Sequence, residues 1–375
     1  MFLDSHLCQV SRFSILEELY KANNNCFLHA AALSNDNIVT KKNIDLSYVV
    51  LPGIQILNFF IYQLKSLFII PKLIFTRNIT HVICDINSTP SIFFLLILKK
   101  LRIIRLNFIL DFRSNILHKR KNRVQNAFKK IYLFMTLKLS QLLFDGFTFI
   151  TPSFKKFVET SYNLKFKKFI YWSSAVSDDF LNDPIEKINN IESKFIIFHH
   201  GSLESGRGIM KLIHSMPFII RNEHISIELF IAGSGSLDKK IEKLSKNYNY
   251  ALNFLGRINR KEVIKYIDNA SLCVVPFENS IGNSTSSPLK VMEYVSRDKI
   301  ILSTNLPEFL DDFKNYKGLY FMSNNDLESI AKAVSYCINH FQELKPDKDE
   351  GKKIIRDNFT WAIQAKKIDI FLNEL

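Results

Sequence analysis

Short apolar runs alternate with amphipathic stretches along most of the 375-residue chain, and this alternation limits the possible fold more than any other feature. Runs such as KFIIFHHGS, SIELFIAGSG and ASLCVVPF have the length of buried strands. The segments between them, such as IMKLIHSMPFII and RKEVIKYIDNA, gather apolar residues on one helical face. Strands that alternate with helices predict an α/β architecture with mostly parallel sheets.

The same pattern predicts two domains. The second half offers six candidate strands, the three above with ALNFLG, KIILST and GLYFMS, which suffice for one doubly wound domain. The first half offers CFLHAAAL, THVICDI, RLNFILDF and GFTFITP and so predicts a second domain of this class. The polar segment SSAVSDDFLNDPIEKINN, between Trp172 and Lys194, is the expected hinge. We therefore expect domains at 1–175 and 192–358.

Basic residues are concentrated in the first half. The chain holds 50 Lys and Arg against 36 Asp and Glu, a formal charge of +14, and the segment Lys99 to Lys168 has 17 basic but only three acidic residues. Such a segment is either a solvated basic face or a surface for an anionic partner. The interleaved phenylalanines, among them Phe128, Phe134, Phe144 and Phe154, are more typical of an amphipathic core face than of base stacking.

The distribution of cysteines and apolar residues favours a cytoplasmic chain. Five cysteines, odd in number and never spaced as C-x-x-C, predict neither a disulfide framework nor a zinc site. The first ten residues lack the basic and apolar regions of a secretory signal. The longest uncharged stretch, Leu46 to Leu64, contains Pro52 and Gly53, whereas a membrane span needs about twenty predominantly apolar residues. We expect a soluble chain that could lie against a membrane.

Three strand-to-helix junctions of the second half have compositions suited to an anion, because a helix N-terminus presents unpaired amides and partial positive charge. In the first junction, HGSLESGRGIMKLI, Gly201, Gly206 and Gly208 allow close backbone turns and Arg207 could hold a diphosphate bidentately. The alternative is a loop arginine in water.

The second junction, FIAGSGSLDKKIE, places Gly233 and Gly235 after a strand, and Ser234 or Ser236 could cap the next helix. A single G-x-G is weak evidence, because many such turns need glycine for steric reasons alone.

The third junction is ENSIGNSTSSPLKVMEYVS. Ser286 or Ser287 could cap a helix that begins near Pro288, so that following amides face an anion. Glu293 then lies more than one turn inside this helix, where a carboxylate could accept two vicinal hydroxyls. The alternative is an exposed surface glutamate.

These segments, in this order, resemble the donor-binding half of glycosyltransferase family 4. The resemblance covers about residues 195–340 through HGSLESGRGIMKLIHSM, SIELFIAGSG, NFLGRINRKEVIKYIDNASLCVVPF and SSPLKVMEYVSRDKIILSTNLPE. It implies a retaining glycosyltransferase of GT-B architecture, with two Rossmann-like domains facing across a cleft. The first domain would then be the acceptor side, 192–358 would bind the nucleotide sugar, and a closing helix at 360–375 would pack back on the first domain.

The resemblance also implies roles for particular residues. Arg207 matches the residue that binds the donor diphosphate, and Glu293 matches the glutamate that binds the ribose. Asp111 and Arg113 match, more loosely, the acceptor-domain position over the donor sugar, and with Arg207 they are the expected catalytic residues. The expected donor-binding residues are Ser202, Gly233, Gly235, Arg257, Ile258, Thr285, Ser286, Ser287, Pro288, Leu289, Lys290 and Glu293.

Two positions depart from the family pattern. Thr285 stands where the family usually has its first glutamate, and Ser202 stands where it usually has an arginine. The S-P-L-K-x-x-E-Y segment resembles a subgroup that lacks this first glutamate. The alternatives are a GT-B scaffold that has lost transfer and acts as a partner subunit, a nucleic-acid-binding protein, and another GT-B enzyme such as an epimerase. Of the adjacent His199 and His200, at most one is expected to reach the site, because neighbouring strand residues point to opposite faces.

The expected co-substrate is a UDP- or GDP-linked sugar, with no further cofactor and no metal, because no pair of carboxylates follows a strand in a D-x-D-like pattern. The expected acceptor is a glycan or lipid-linked glycan in the synthesis of a bacterial lipopolysaccharide, capsule or exopolysaccharide. The basic first domain would make peripheral contact with an anionic membrane, at the inner face of the cytoplasmic membrane, and no nucleic acid would bind.

Overall fold

The chain forms two compact units, Met1–Ser174 with Trp361–Leu375, and Ala175–Thr360. The computed structural model describes residues 1–4, 10–22, 26–33, 45–51, 55–113, 123–188, 194–247, 251–287, 289–306 and 312–375.

The first unit is built on a seven-stranded sheet in the order β3-β2-β1-β4-β5-β6-β7, with every pairing parallel. Its elements are β1 (Phe2–Asp4), α1 (Val10–Lys21), β2 (Phe27–Leu33), β3 (Asp45–Leu51), α2 (Gln55–Thr76), β4 (His81–Asp85), α3 (Thr89–Lys100), β5 (Asn107–Phe112), α4 (Arg123–Leu143), β6 (Gly146–Phe149), α5 (Pro152–Tyr162) and β7 (Phe169–Tyr171).

The four strands expected in the first half are present, and three more were not expected. These three are β1, β3 and β7. β1 and β7 have only three residues each, too few for a periodic signal, and the start of β3 is polar. The central strands β5 and β6 are buried on both faces, which explains why their sequences are continuous apolar runs rather than alternating ones.

Aromatic side chains fill the core beside β5 and β6. Phe112 stacks on Phe149 with ring centroids 4.7 Å apart, and Phe166 packs edge-on against both rings. The expected core role of the interleaved phenylalanines is correct for Phe144 and Phe154, which are buried. It is wrong for Phe128 and Phe134, which are exposed on α4 because they lie on the side of that helix that faces away from the sheet.

The uncharged stretch 46–64 is not one segment, because β3 ends inside it and α2 begins inside it. The apolar character continues through Lys65 and Lys72, so that Leu57–Thr76 is long and apolar enough to cross a membrane, and only 22% of it is buried. The uncharged stretch considered above covers only part of this segment. One stripe of α2, at Tyr62, Ser66, Ile70 and Ile74, is buried on the sheet.

The second unit is built on a six-stranded parallel sheet in the order β10-β9-β8-β11-β12-β13. All six strands expected in this half are present. The elements are α6 (Asp179–Asn182), β8 (Phe195–Ser202), α7 (Ile209–Asn222), β9 (Ile227–Ser234), α8 (Asp238–Asn247), β10 (Leu252–Gly256), α9 (Arg260–Asn269), β11 (Leu272–Val275), α10 (Ile281–Ser284), α11 (Leu289–Val295), β12 (Ile301–Thr304), β13 (Leu319–Met322), α12 (Leu327–Asn339), α13 (Phe341–Leu344) and α14 (Glu350–Asn358).

A buried ion pair fixes the end of α11. The Arg297 guanidinium donates to both carboxylate oxygens of Asp268 on α9, with Nε–Oδ1 2.7 Å and Nη2–Oδ2 2.6 Å. Its Nη1 donates to the carbonyls of Phe180 and Asp183 around α6. One side chain therefore ties α9, α11 and α6 together.

The last helix of the chain, α15 (Trp361–Asn373), belongs to the first unit and contacts α1. The ring of Phe371 lies only 2.6 Å from where a Cβ on Gly146 would be, so glycine at the start of β6 makes room for this helix.

Candidate functional site

The site residues of the second unit lie where β8 and β11 end and where α11 begins. Gly201, one residue before the end of β8, has φ +118°, and a Cβ there would lie 3.0 Å from Nζ of Lys290. In β9, Gly233 has φ +137°, and a Cβ there would lie 1.8 Å from the Gly201 carbonyl oxygen. Both glycines are therefore required, the first to admit the lysine and the second to let the two strand ends pack closely.

Arg207 is held in place and is not a loop arginine in water. Its Nη1 donates to Oδ1 of Asn283 at 3.0 Å, and its guanidinium carbon lies 4.7 Å from the centre of the Phe277 ring. Asn283 in turn donates to the carbonyls of Gly206 and Glu278 at 3.1 and 2.7 Å, which fixes its orientation. Burial lowers the pKa of Arg207 from its ordinary value, and the Glu204 carboxylate opposes that shift.

Lys290 lies on the same aromatic ring as Arg207. Its Nζ is 4.9 Å from the centre of Phe277, so the ring face stabilises both cations. Nζ also lies 3.5 Å from Nε2 of His199. Nδ1 of His199 is 2.7 Å from the Val274 carbonyl, which only accepts, so Nδ1 carries the proton and Nε2 can accept from the lysine. Burial, together with Arg207, lowers the pKa of Lys290 to about 7.

Glu293 is buried and is not a surface glutamate. Its Oε2 lies 3.2 Å from Nε2 of His200, without the geometry of a hydrogen bond. Burial raises the pKa of Glu293 to about 7, although Arg260 and Lys290 oppose the shift. Burial and the Lys290 charge lower the pKa of His200 to about 3, so this imidazole is neutral at physiological pH. The carboxylate consequently keeps its capacity to accept hydrogen bonds from a ligand.

Both histidines contact a predicted site residue, which differs from the expectation that at most one would reach the site. His199 and His200 do occupy successive strand positions, but Lys290 and Glu293 lie three positions apart on α11, which passes over the end of β8. The long lysine side chain reaches one imidazole and the glutamate reaches the other.

The remaining donor-site positions lie around this centre. Ser202 and Arg257 are exposed, and Ile258 is partly buried against the core. Leu289 is the first residue of α11, Ser287 is buried, and Pro288 lies outside the described residues.

Several hydroxyls at these junctions donate to nearby groups of the chain. Thr285 Oγ1 donates to the Ile281 carbonyl at 2.7 Å, and Ser286 Oγ donates to the Asn283 carbonyl at 2.9 Å. In the second junction Ser236 donates to Glu204, and the Gly235 amide donates to Asp238, the first residue of α8. The Ser236 hydroxyl, expected to cap α8, therefore contacts Glu204 instead.

Asp111 and Arg113 lie in the first unit, at the end of β5. Oδ1 of Asp111 accepts from Thr148 and from the Trp172 indole at 3.1 Å, and Oδ2 accepts from Arg113 at 3.3 Å. The Arg113 guanidinium stacks 3.2 Å above the Trp172 ring. Both residues are buried in this cluster, so their described contacts hold the end of β5 against β6. Their catalytic roles remain predictions.

The sequence did not mark Phe277, Asn283 or Arg260 as site residues. Phe277 closely follows β11 in the run ASLCVVPF, so its place at a strand end was a usable signal. Asn283 orients Arg207, and Arg260 places a positive charge near Glu293. No local sequence pattern reveals either role. Among the described ranges, no group of three or more His, Cys, Asp or Glu side chains is placed to hold a metal ion.

The fold is shared with solved structures over the whole chain. A glycosyltransferase from Rickettsia africae ESF-5 has a TM-score of 0.72 at 13% identity, covering 99% of this chain and 97% of that one. Anabaena Alr3699/HepE in complex with UDP and glucose has a TM-score of 0.71 at 11% identity, covering 100% of this chain and 99% of that one. The lipopolysaccharide outer core galactosyltransferase WaaB, in its apo form, has a TM-score of 0.68 at 14% identity, covering 100% of this chain and 98% of that one. At these identities the likeness shows the fold, which is the GT-B fold of glycosyltransferases.

The family match falls within the second unit. Residues 182–349 match the family described as Glycosyl transferases group 1, and Arg207, Lys290 and Glu293 lie within the matched stretch. The fold class and the resemblance drawn from the sequence are thus confirmed at this level, whereas the S-P-L-K-x-x-E-Y subgroup remains a prediction. A comparison with curated proteins finds no match.

Proposed function

We propose that the protein is a retaining transferase that moves a hexose from a UDP- or GDP-linked donor. The observation that carries the proposal is the placement of Arg207 and Lys290 on one Phe277 ring, with Glu293 buried one turn further along the helix that bears Lys290. Two cations beside a carboxylate match a diphosphate linked to a ribose.

Each of these groups has a chemical task in that reaction. The two cations bind the diphosphate and stabilise the negative charge that develops as the nucleotide departs. Glu293, when ionised, accepts from the two ribose hydroxyls and sets the position of the donor along the strand ends. Their burial strengthens these contacts, since a low local dielectric raises electrostatic energies. Rate then comes from positioning and charge stabilisation, and we propose that the transfer needs no metal.

The comparisons support the donor class, because one similar structure was solved with UDP and glucose. For the acceptor, we propose a glycan or lipid-linked glycan of bacterial surface polysaccharide synthesis, which is supported by the similarity to a lipopolysaccharide galactosyltransferase. We also propose that the protein works in the cytoplasm, in peripheral contact with an anionic membrane.

A panel of nucleotides tests the donor site by thermal stabilisation. UDP, GDP and ADP, alone and as sugar conjugates, are added to the wild type, to Arg207→Ala and to Glu293→Gln. A ligand at 100 times its dissociation constant adds about 2.7 kcal/mol to the free energy of unfolding. We expect stabilisation of the wild type by one of the first two nucleotides and its loss in both variants.

Lys243→Ala, on the exposed face of α8, is the matched control and should keep the stabilisation. If no nucleotide stabilises the wild type, the donor site as assigned is wrong. If a donor binds but neither hydrolysis nor transfer occurs with any acceptor glycan, the alternative of a partner subunit without transfer is favoured instead.

A further inference from the structure

The exposed side of α2, α3 and α4 carries most of the exposed apolar surface of the described chain. Fifteen of the 28 large apolar side chains exposed in the described residues lie on these three helices. Among them are Phe60 and Phe68 on α2, Phe94 on α3, and Phe128, Ile131 and Met135 on α4. We call this surface the outer helix face.

The three helices form one continuous surface. Along the chain, α2 connects β3 to β4, α3 connects β4 to β5, and α4 connects β5 to β6. Contacts join α2 to α3 and α3 to α4. Right-handed crossovers in one direction along a sheet place their helices on one side of it. Exposed apolar side chains gathered on adjoining helices, rather than scattered singly, mark an interaction surface.

The outer helix face is also basic. The sequences of α2, α3 and α4 contain eight Lys or Arg and no Asp or Glu. Lys65 and Lys72 on α2 and Lys130 on α4 are exposed among the apolar side chains. Long lysine side chains can lie along apolar surface while their ammonium groups reach outward to anionic groups.

We propose that the outer helix face docks into the interface of a bilayer that contains anionic lipid. Apolar side chains enter the acyl boundary while the lysines meet the headgroups, a combination that gives stable peripheral binding. A second copy of this chain fits poorly, because a two-fold interface would set one basic face against another and these helices have no Asp or Glu to pair with the lysines. The surface is wider than the membrane contact expected from Lys99 to Lys168, since α2 lies outside that segment.

α2 lies on the membrane in this arrangement and does not cross it. Its stripe Tyr62, Ser66, Ile70 and Ile74 is buried on the sheet, and Ser66 Oγ is 2.9 Å from Nε2 of His29 on β2. Crossing the bilayer would pull this stripe from the sheet and leave the buried imidazole without that partner.

Flotation with vesicles tests the proposal on the full chain. Vesicles of phosphatidylcholine alone are compared with vesicles that also contain phosphatidylglycerol. We expect wild-type protein to float with the mixed vesicles. Phe68→Ser and Phe128→Ser should each lower the partition coefficient at least about tenfold, because each removes an aromatic ring that the membrane would otherwise bury. A triple variant that combines Lys65→Gln, Lys72→Gln and Lys130→Gln should lower the partition coefficient about fivefold for each charge removed.

The matched controls lie in the second unit. Phe218→Ser on α7, and Lys239→Gln with Lys240→Gln and Lys243→Gln on α8, alter exposed side chains of the same types and should float like the wild type. Circular dichroism and thermal melting confirm that every variant is folded. Absence of wild-type flotation, or equal flotation of the target and control variants, overturns the proposal. A solution dimer that Phe68→Ser dissociates assigns the face to a second copy and overturns it too.

The docking surface extends the membrane contact proposed above but does not depend on sugar transfer, since no nucleotide enters the flotation assay. Flotation without transfer would leave the surface standing and count against the enzyme, whereas transfer without flotation would count against the surface alone.

Discussion

Lys290 and Glu293 lie three positions apart on α11, and burial brings the pKa of each to about 7. Donor binding, as proposed, needs the lysine charged and the glutamate ionised. Above pH 7 the lysine loses its proton, and below pH 7 the glutamate gains one. The protonation state that binds the donor is therefore most populated near neutrality.

We expect the affinity for a nucleotide sugar to follow a bell-shaped curve with its maximum near pH 7. Lys290→Met should weaken binding and remove the decline on the alkaline side, and Glu293→Gln should remove the decline on the acid side. Titration calorimetry between pH 5.5 and 9 measures both limbs. A flat wild-type curve would show that neither group titrates in this range.

Gly201 permits a direct test of the lysine position. Gly201→Ala places a Cβ in a left-handed backbone conformation and 3.0 Å from Nζ of Lys290. We expect a loss of about 1–3 kcal/mol in the free energy of unfolding and weaker stabilisation by nucleotide. Gly282→Ala on α10, where a Cβ meets nothing within 4 Å, is the control and should change neither. Denaturant titration with and without nucleotide measures the two effects, and equal behaviour of the two variants would contradict the assignment.

At the scale of elements, the stability of α11 depends on the contacts that hold its ends. The helix is only seven residues long, so its stability comes from packing and from the Arg297 ion pair rather than from its own hydrogen bonds. The side chains that define the site therefore keep their positions through contacts with α9 and the segment around α6.

Arg297→Met should destabilise the protein by about 3–5 kcal/mol, because it leaves the buried Asp268 carboxylate without its partner. The double change Arg297→Met with Asp268→Leu should recover most of the loss. Urea denaturation measures both variants. Arg260→Met serves as the control, since the Arg260–Asp179 pair is exposed and exposed pairs contribute about 0–1 kcal/mol. An equal loss in Arg297→Met and Arg260→Met would argue against a structural role for the buried pair.

The sequence predicted elements well where apolar runs were long and poorly where position depends on tertiary contacts. β8 to β13 were predicted because each is a continuous apolar run between helical segments. β1 and β7 were missed because three residues show no period. At the site, the glycine-rich and helix-start patterns marked Arg207 and Glu293 as candidates, and the family resemblance gave them roles that remain predictions. Neither pointed to the Phe277 ring that the two cations share. A ring shared by two cations is a tertiary arrangement that no spacing encodes.

At the scale of the whole molecule, the two units have separate sheets and separate cores. The predicted architecture of two α/β units follows from the repeat of one pattern in both halves of the sequence. The distribution of exposed apolar surface does not follow from that pattern, because periodicity marks which helix face is apolar and not which apolar face stays uncovered.

Separate cores lead to a prediction for thermal unfolding. We expect two calorimetric transitions, of which UDP or GDP shifts only the one that belongs to the second unit. The Arg207→Ala variant should show the same two transitions without the shift. A single transition that moves as a whole with nucleotide would show instead that the units unfold together.

Burial brings the pKa of Lys290 and the pKa of Glu293 to about the same value, so the changes in protonation that favour a bound donor have opposite signs. The hydrogen ion gained by the amine is then offset by the one lost from the acid. At neutrality, the heat of complex formation should accordingly be the same in phosphate and in Tris, since nothing is exchanged with the buffer.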